Sequence, residues 1–209
     1  MHPADRAARL ADAYLYLCTP LRDDLPEFLD AVLAGGVDIV QLRDKNAERA
    51  EQVAACPLFR EACDRHEALF VVNDDPDVAL EGAADGVHVG QDDLPPRAVR
   101  DLVGEAVLIG RSTHSQDEVD QALTEPCDYF AVGPVSATPT KRGRPGIGLE
   151  PLRHAATVAD RPWFVTGGMA PDTAHAVLQT GATRLVVVRA LTEAPDPQTV
   201  AATLTGMLR

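Results

Sequence analysis

Gly36-Val37-Asp38-Ile39-Val40-Gln41-Leu42-Arg43-Asp44-Lys45 runs from a helix stop through a short apolar segment to a cluster of amide, guanidinium and ammonium groups. The pair Gly35-Gly36 suits a helix C-terminal cap. The same order of helix end, small residue and polar residue returns at Ala84-Asp85, Cys127-Asp128 and Ala182-Thr183. Each return leads into an apolar strand: Gly86–Val89, Tyr129–Val132 and Leu185–Val188. Further strands read at Tyr14–Cys18, Leu69–Val72, Val107–Gly110 and Trp163–Val165.

Helical patterns fill the gaps: 3–13, 25–34, 47–66, from Pro76, 95–103, from Ser115, 150–158, from Pro171 to Gly181, and 197–208. Pro57 is expected to kink or split the 47–66 helix. Asp75 suits the cap of the helix opening at Pro76, and Ser115-Gln116-Asp117-Glu118 reads as a capping box. Short apolar strands alternating with helices belong in a parallel sheet covered by those helices. The repeat favours closure, so the expected fold is a compact (βα)8 TIM barrel with a short N-terminal helix, one domain over 1–209. An open doubly wound sheet is the alternative.

Composition narrows the partners. A net charge of −13 offers no basic face for nucleic acid. No apolar run approaches the roughly 20 residues that span a bilayer, and Met1–Arg6 leads into no signal-peptide core, so a cytoplasmic protein without membrane contact is expected. Cys18, Cys56, Cys63 and Cys127 show no metal-ligand spacing and read as reduced, buried thiols. The 19 basic residues include only two lysines, Lys45 and Lys141, both in loops of functional interest. A homo-oligomer is left open.

In such a barrel the active site lies where the strands end. Alternation along a strand puts Gln41, Arg43 and Lys45 on one face and Asp44 on the other. Three converging donors suit an anion such as a phosphate, or else a solvated strand end. The pairs Asp74-Asp75 and Asp92-Asp93 suit a hard divalent cation held by one or two carboxylates with phosphate oxygens, or else helix caps. One member of a pair can cap while the other binds metal. The loop 133–148 lacks an apolar face to anchor it and carries three cations, which suits a phosphate-covering lid or a disordered basic loop. Gly167-Gly168 and the 188–189 turn fall where barrels of this kind bind phosphate through backbone N–H groups. His88 reads as structural, and His114 as a scaffold residue before a proton carrier.

The ordered set Gln41-Leu42-Arg43-Asp44-Lys45, Asn73-Asp74-Asp75, Asp85–Asp93, Ser112-Thr113-His114, Gly133-Pro134, Thr138-Pro139-Thr140-Lys141, Gly148-Leu149 and Gly167-Gly168-Met169 resembles the thiamine-phosphate synthase family over nearly the whole chain. The resemblance implies an enzyme that joins an aminomethylpyrimidine diphosphate to a thiazole phosphate, or its carboxylated form, and releases diphosphate. It implies that Gln41, Arg43, Lys45 and Asn73 hold the pyrimidine diphosphate and that Asp74 and Asp93 bind Mg2+. Ser112 and Lys141 would contact diphosphate, with Arg43 and Lys45 sharing the catalytic work. Thr138, Thr140, Gly168 and the Val188-Arg189 backbone would hold the thiazole phosphate. The implied mechanism is dissociative, through a pyrimidine methylene cation captured by the thiazole nitrogen. Arg189 departs from the serine common in the family, which leaves its side-chain role open. A thiazole tautomerase on the same barrel would need no metal site, and a non-catalytic sensor of thiamine intermediates would need no leaving-group donors.

Overall fold

The computed structural model describes residues 2–137 and 145–209. In chain order the first elements are α1 (Pro3–Ala11), β1 (Leu15–Thr19), α2 (Leu25–Ala34), β2 (Ile39–Leu42), α3 (Arg49–Arg65) and β3 (Leu69–Asn73). Then follow α4 (Pro76–Glu81), β4 (Gly86–Val89), α5 (Pro96–Val103), β5 (Leu108–Thr113), α6 (Gln116–Thr124) and β6 (Tyr129–Val132). The chain ends with α7 (Glu150–Val158), β7 (Trp163–Val165), α8 (Pro171–Leu178), β8 (Leu185–Val187), α9 (Arg189–Thr192) and α10 (Pro197–Leu208). Each strand pairs in parallel with the next, and β8 returns to β1. This is the closed (βα)8 barrel expected from the strand repeat, and the open sheet is set aside. Among the described residues no helix is long and apolar enough to cross a membrane.

Strand alternation sorts the core into two layers. Outward residues such as Leu15, Leu17, Val40, Leu42, Phe70 and Val72 pack under the helices. Inward residues such as Tyr16, Ile39, Val71, Tyr129 and Phe164 fill the barrel, with Leu10 of the N-terminal helix joining them. Phe59 of α3 stacks on Phe70 with ring centroids 5.2 Å apart. Burying each such ring is worth about 2–3 kcal/mol.

Three of the four polar residues heading the even strands have a shared duty. Asp38 Oδ2 accepts the N–H groups of Tyr14 and Leu15 at 2.8 and 2.9 Å. Asp85 Oδ2 accepts Phe70 N–H at 3.0 Å, and Asp128 Oδ2 accepts Ile109 N–H at 2.7 Å. Each aspartate therefore satisfies backbone donors at the head of the preceding odd strand. An arginine seals each one: Arg209 after α10, Arg60 of α3 and Arg100 of α5. Asp85, fully buried, also binds Arg6 of α1 at 2.9 Å, tying the N-terminal helix to the barrel.

Three local expectations need correction. Pro57 does not split α3, which runs unbroken from Arg49 to Arg65. Pro57 lies on the exposed face, while Cys56, Phe59, Ala62 and Cys63 are buried and anchor the helix. β5 continues past Gly110 to Thr113 because Ser112 and Thr113 pair with Ala131 and Val132. The box at Ser115 is half made: Ser115 accepts from Glu118 N–H, but the Glu118 carboxylate turns to His114 N–H.

Candidate active site

The C-terminal ends of the strands surround a cavity of about 1200 Å3. Gln41 enters it from β2, and Arg43 and Lys45 enter it from the loop that follows. Asn73 and Asp74 come from β3, Asp93 from the turn after β4 and Ser112 from β5. Gly168, Val188 and Arg189 form the far wall. These ten expected residues thus meet in one space. Thr138, Thr140 and Lys141 lie outside the described residues. Asp44 reaches the cavity rim but spends its carboxylate on Leu21, Asn46 and Ala47 N–H groups, fixing the loop that carries Lys45.

The two acidic pairs divide their work differently. Asp75 caps α4, accepting Asp77 and Val78 N–H groups at 2.9 and 3.0 Å. Asp74, one residue earlier, takes a left-handed backbone with φ of 63°. Aspartate tolerates that conformation better than most side chains, at a cost on the order of 1 kcal/mol or more. Its N–H is held by His88 C=O at 2.8 Å. In the second pair neither aspartate caps α5, whose N-cap is Pro95. Asp93 instead folds back to accept Gly90 N–H at 2.7 Å.

Asp74 and Asp93 border the same cavity from the β3 and β4 ends. Burial pushes the Asp74 carboxyl upward, and the neighbouring Asp93 pushes the same way. Lys45, with Nζ 3.7 Å from Asp74, and Arg43 oppose that shift. Two carboxylates this close need a proton or a cation between them. The donor set fits Mg2+, which commonly takes one or two carboxylates and completes its shell with water and substrate phosphate. Among the described residues no cluster of three histidine, cysteine or acidic side chains offers a complete protein cage.

His88, Gln91 and Arg111 support this set from the ends of β4 and β5. His88 is buried in the cavity wall, with Nε2 2.9 Å from Ser112 Oγ, so its structural reading is too narrow. Gln91 donates to Ser112 C=O at 2.6 Å and accepts from Arg111 at 3.1 Å. Arg111 also donates to Gly90 C=O and pairs with Glu125, so it braces the turn that carries Asp93. His114 fits its scaffold reading: its Nδ1 contacts Gly133 C=O at the root of the long loop.

That loop is anchored at both ends, contrary to expectation. Val135 N–H donates to Thr166 C=O at 2.9 Å, and Ile147 N–H to Pro134 C=O at 2.9 Å. Val135 and Ile147 are partly buried against the core, which supplies the apolar anchor the loop seemed in sequence to lack. Gly167, with φ of 102°, passes so close that a Cβ would stand 2.4 Å from Pro134 Cα. Gly168 is the open member of the pair and borders the cavity. The short α9 begins at Arg189, directly after β8 and Val188.

The chain is similar to known proteins over nearly its whole length. Residues 15–191 match the family model for thiamine monophosphate synthase. The chain is 52% identical over 206 residues to thiamine-phosphate synthase of Acidothermus cellulolyticus, covering 96% of this chain and 97% of that one. It is 54% identical over 201 residues to thiamine-phosphate synthase of Thermobifida fusca, covering 94% and 92%. The solved structure of thiamine phosphate pyrophosphorylase from Pyrococcus furiosus superposes with a TM-score of 0.86 at 30% identity, covering 95% of this chain and 96% of that one.

Proposed function

Because the chain belongs to the thiamine monophosphate synthase family, we propose that it condenses a pyrimidinylmethyl diphosphate with a thiazole phosphate, or its carboxylated form with loss of CO2, to give thiamine phosphate and diphosphate. The observation that carries this reading is the meeting of Arg43 and Lys45 with the Asp74–Asp93 pair in one cavity. Cations and acids side by side suit a metal-bound diphosphate better than a bare phosphate or a bare cation.

Gln41 and Asn73 orient the pyrimidine diphosphate, and Arg43 and Lys45 grip its phosphate oxygens. Asp74 and Asp93 would hold Mg2+, which would supply positive charge to the diphosphate. As the methylene C–O bond breaks, negative charge grows on the leaving group, so contacts from Arg43, Lys45 and Ser112 strengthen toward the transition state. Lys141, from the loop over 133–148, adds a further cation to the same group. Thr138, Thr140, Gly168 and the Val188-Arg189 backbone hold the thiazole phosphate so that the ring nitrogen faces the methylene carbon. No side-chain nucleophile takes part: the C–O bond breaks toward diphosphate and the nitrogen lone pair forms the new C–N bond. Keeping water out protects the intervening cation from capture as an alcohol.

Incubation with both substrates and Mg2+ should yield thiamine phosphate, and EDTA should stop the reaction. Thiazole isomerisation without condensation would overturn the reading in favour of a tautomerase. A rate indifferent to EDTA would remove the metal assignment.

A further inference from the structure

Five side chains from five strands form one hydrogen-bonded chain along the cavity wall, with only Tyr129 behind it. Gln41 Nε2 donates to the Tyr16 hydroxyl at 2.7 Å, and the Tyr16 and Tyr129 hydroxyls are 2.9 Å apart. The Tyr129 hydroxyl lies 3.3 Å from His88 Nδ1, and His88 Nε2 lies 2.9 Å from Ser112 Oγ. Gln41, Tyr16, Tyr129 and His88 are all buried.

The fold makes room for this chain at one residue. His88 on β4, Gly110 on β5 and Tyr129 on β6 are register partners across three adjacent strands. A Cβ on Gly110 would stand 2.4 Å from His88 Nδ1 and 2.5 Å from the Tyr129 oxygen. Glycine there is the opening through which the two side chains meet.

Donor direction then propagates along the chain. An amide nitrogen only donates, so the Tyr16 oxygen accepts from Gln41, and the direction that uses every proton of the chain sends the Tyr16 proton to Tyr129. The Tyr129 oxygen accepts that proton and turns its own toward His88 Nδ1. An imidazole accepting at Nδ1 carries its proton at Nε2, which donates to Ser112 Oγ. The Ser112 hydroxyl proton is thereby turned away from His88. Burial keeps both phenols protonated by pushing them well above their ordinary range.

We propose that Tyr16, Tyr129 and His88 are positioning residues whose one-way hydrogen-bond chain presents Ser112 as a donor to the departing diphosphate, with Gly110 providing the space it needs. Only the last link rests on the reading of Ser112 as a diphosphate contact. The chain's polarity stands or falls separately.

The test is 15N NMR of the His88 ring in the full-length protein, paired with kinetics. Wild type should show a neutral ring protonated at Nε2. Gln41→Glu replaces the first donor with an acceptor, so the chain should run backward and the His88 proton should move to Nδ1. Tyr129→Phe removes the donor to Nδ1 and should mix the tautomers. It should also lower kcat roughly tenfold, about the effect of one misdirected hydrogen bond to a charged group, while KM for the thiazole phosphate stays unchanged. Should Tyr129→Phe fail to fold, the Gln41→Glu tautomer shift decides the matter. An Nδ1-protonated ring in wild type, or a ring unmoved by both changes, overturns the proposal. If the tautomers shift as expected but Ser112→Ala turns over like wild type, the positioning chain stands and the assignment of Ser112 to the leaving group falls.

Discussion

Asp74 and Asp93, from the ends of adjacent strands, border one cavity, where burial first and then the neighbouring Asp93 push the Asp74 carboxyl upward. Asp74 reaches this position through a left-handed turn, leaving Asp75 to cap α4. The fold thus spends one aspartate on structure and frees its neighbour for charge.

This pair makes metal-free stability depend on pH. The folded-state pKa of Asp74 is raised, so the folded protein binds its proton more tightly than the unfolded chain does. The contribution is therefore unfavourable above the raised value, and it fades as pH falls toward the unfolded value. Mg2+ should raise Tm at neutral pH, and Asp74→Asn should raise the metal-free Tm while abolishing the Mg2+ response. Thermal melts with EDTA and with Mg2+ check this, and an undiminished Mg2+ shift in Asp74→Asn would refute it.

Arg43→Lys should damage use of the pyrimidine diphosphate more than its conserved charge suggests. Lysine keeps the charge but loses the planar fork that can grip two phosphate oxygens. KM for the diphosphate substrate should rise roughly tenfold, the worth of one charge-assisted hydrogen bond. KM for the thiazole phosphate should hold steady in the same steady-state assay, and parallel rises would show misplacement of the whole site.

Asp85→Ala should cost about 3 kcal/mol in denaturant unfolding, because it strands Arg60 and Arg6 and leaves Phe70 N–H without its acceptor. Asp160→Ala, which breaks an exposed pair with Arg161, serves as the contrast and should leave the midpoint where it was. Equal losses would show that the buried node at the strand heads carries no special weight.

Gly167→Ala should disturb the loop root more than a generic glycine substitution. Its Cβ would collide with Pro134 and Val135, whereas Gly104 also has positive φ but nothing within 4 Å of an added Cβ. Gly104→Ala should cost about 1 kcal/mol from backbone strain alone. Gly167→Ala should cost more and also raise KM for the thiazole phosphate. A matched stability loss with unchanged KM would separate the loop root from substrate binding.

The barrel was legible because its repeat is chemical. Asp38, Asp85 and Asp128 mark the even strands in sequence for the same reason that they bind the odd-strand N–H groups in the fold. The inward set Gln41, Arg43 and Lys45 followed from strand alternation, and Asp75 was legible as a cap from the proline after it. Tyr16 and Tyr129 were not legible as polar partners. Each sits in an apolar run, and their hydroxyls meet only because the barrel closes and Gly110 leaves space. Pro57 misled because the exposed face of a well-anchored helix absorbs one missing hydrogen bond. The loop anchors at Val135 and Ile147 were hidden by a stretch that looks polar as a whole.

The most direct measurement of the central claim follows diphosphate and thiamine phosphate together in one reaction containing both substrates and Mg2+. The account predicts that the two products appear in equal amounts, and that neither appears when Mg2+ is withdrawn. Diphosphate released without thiamine phosphate would contradict it, since the site would then be passing its cation to water.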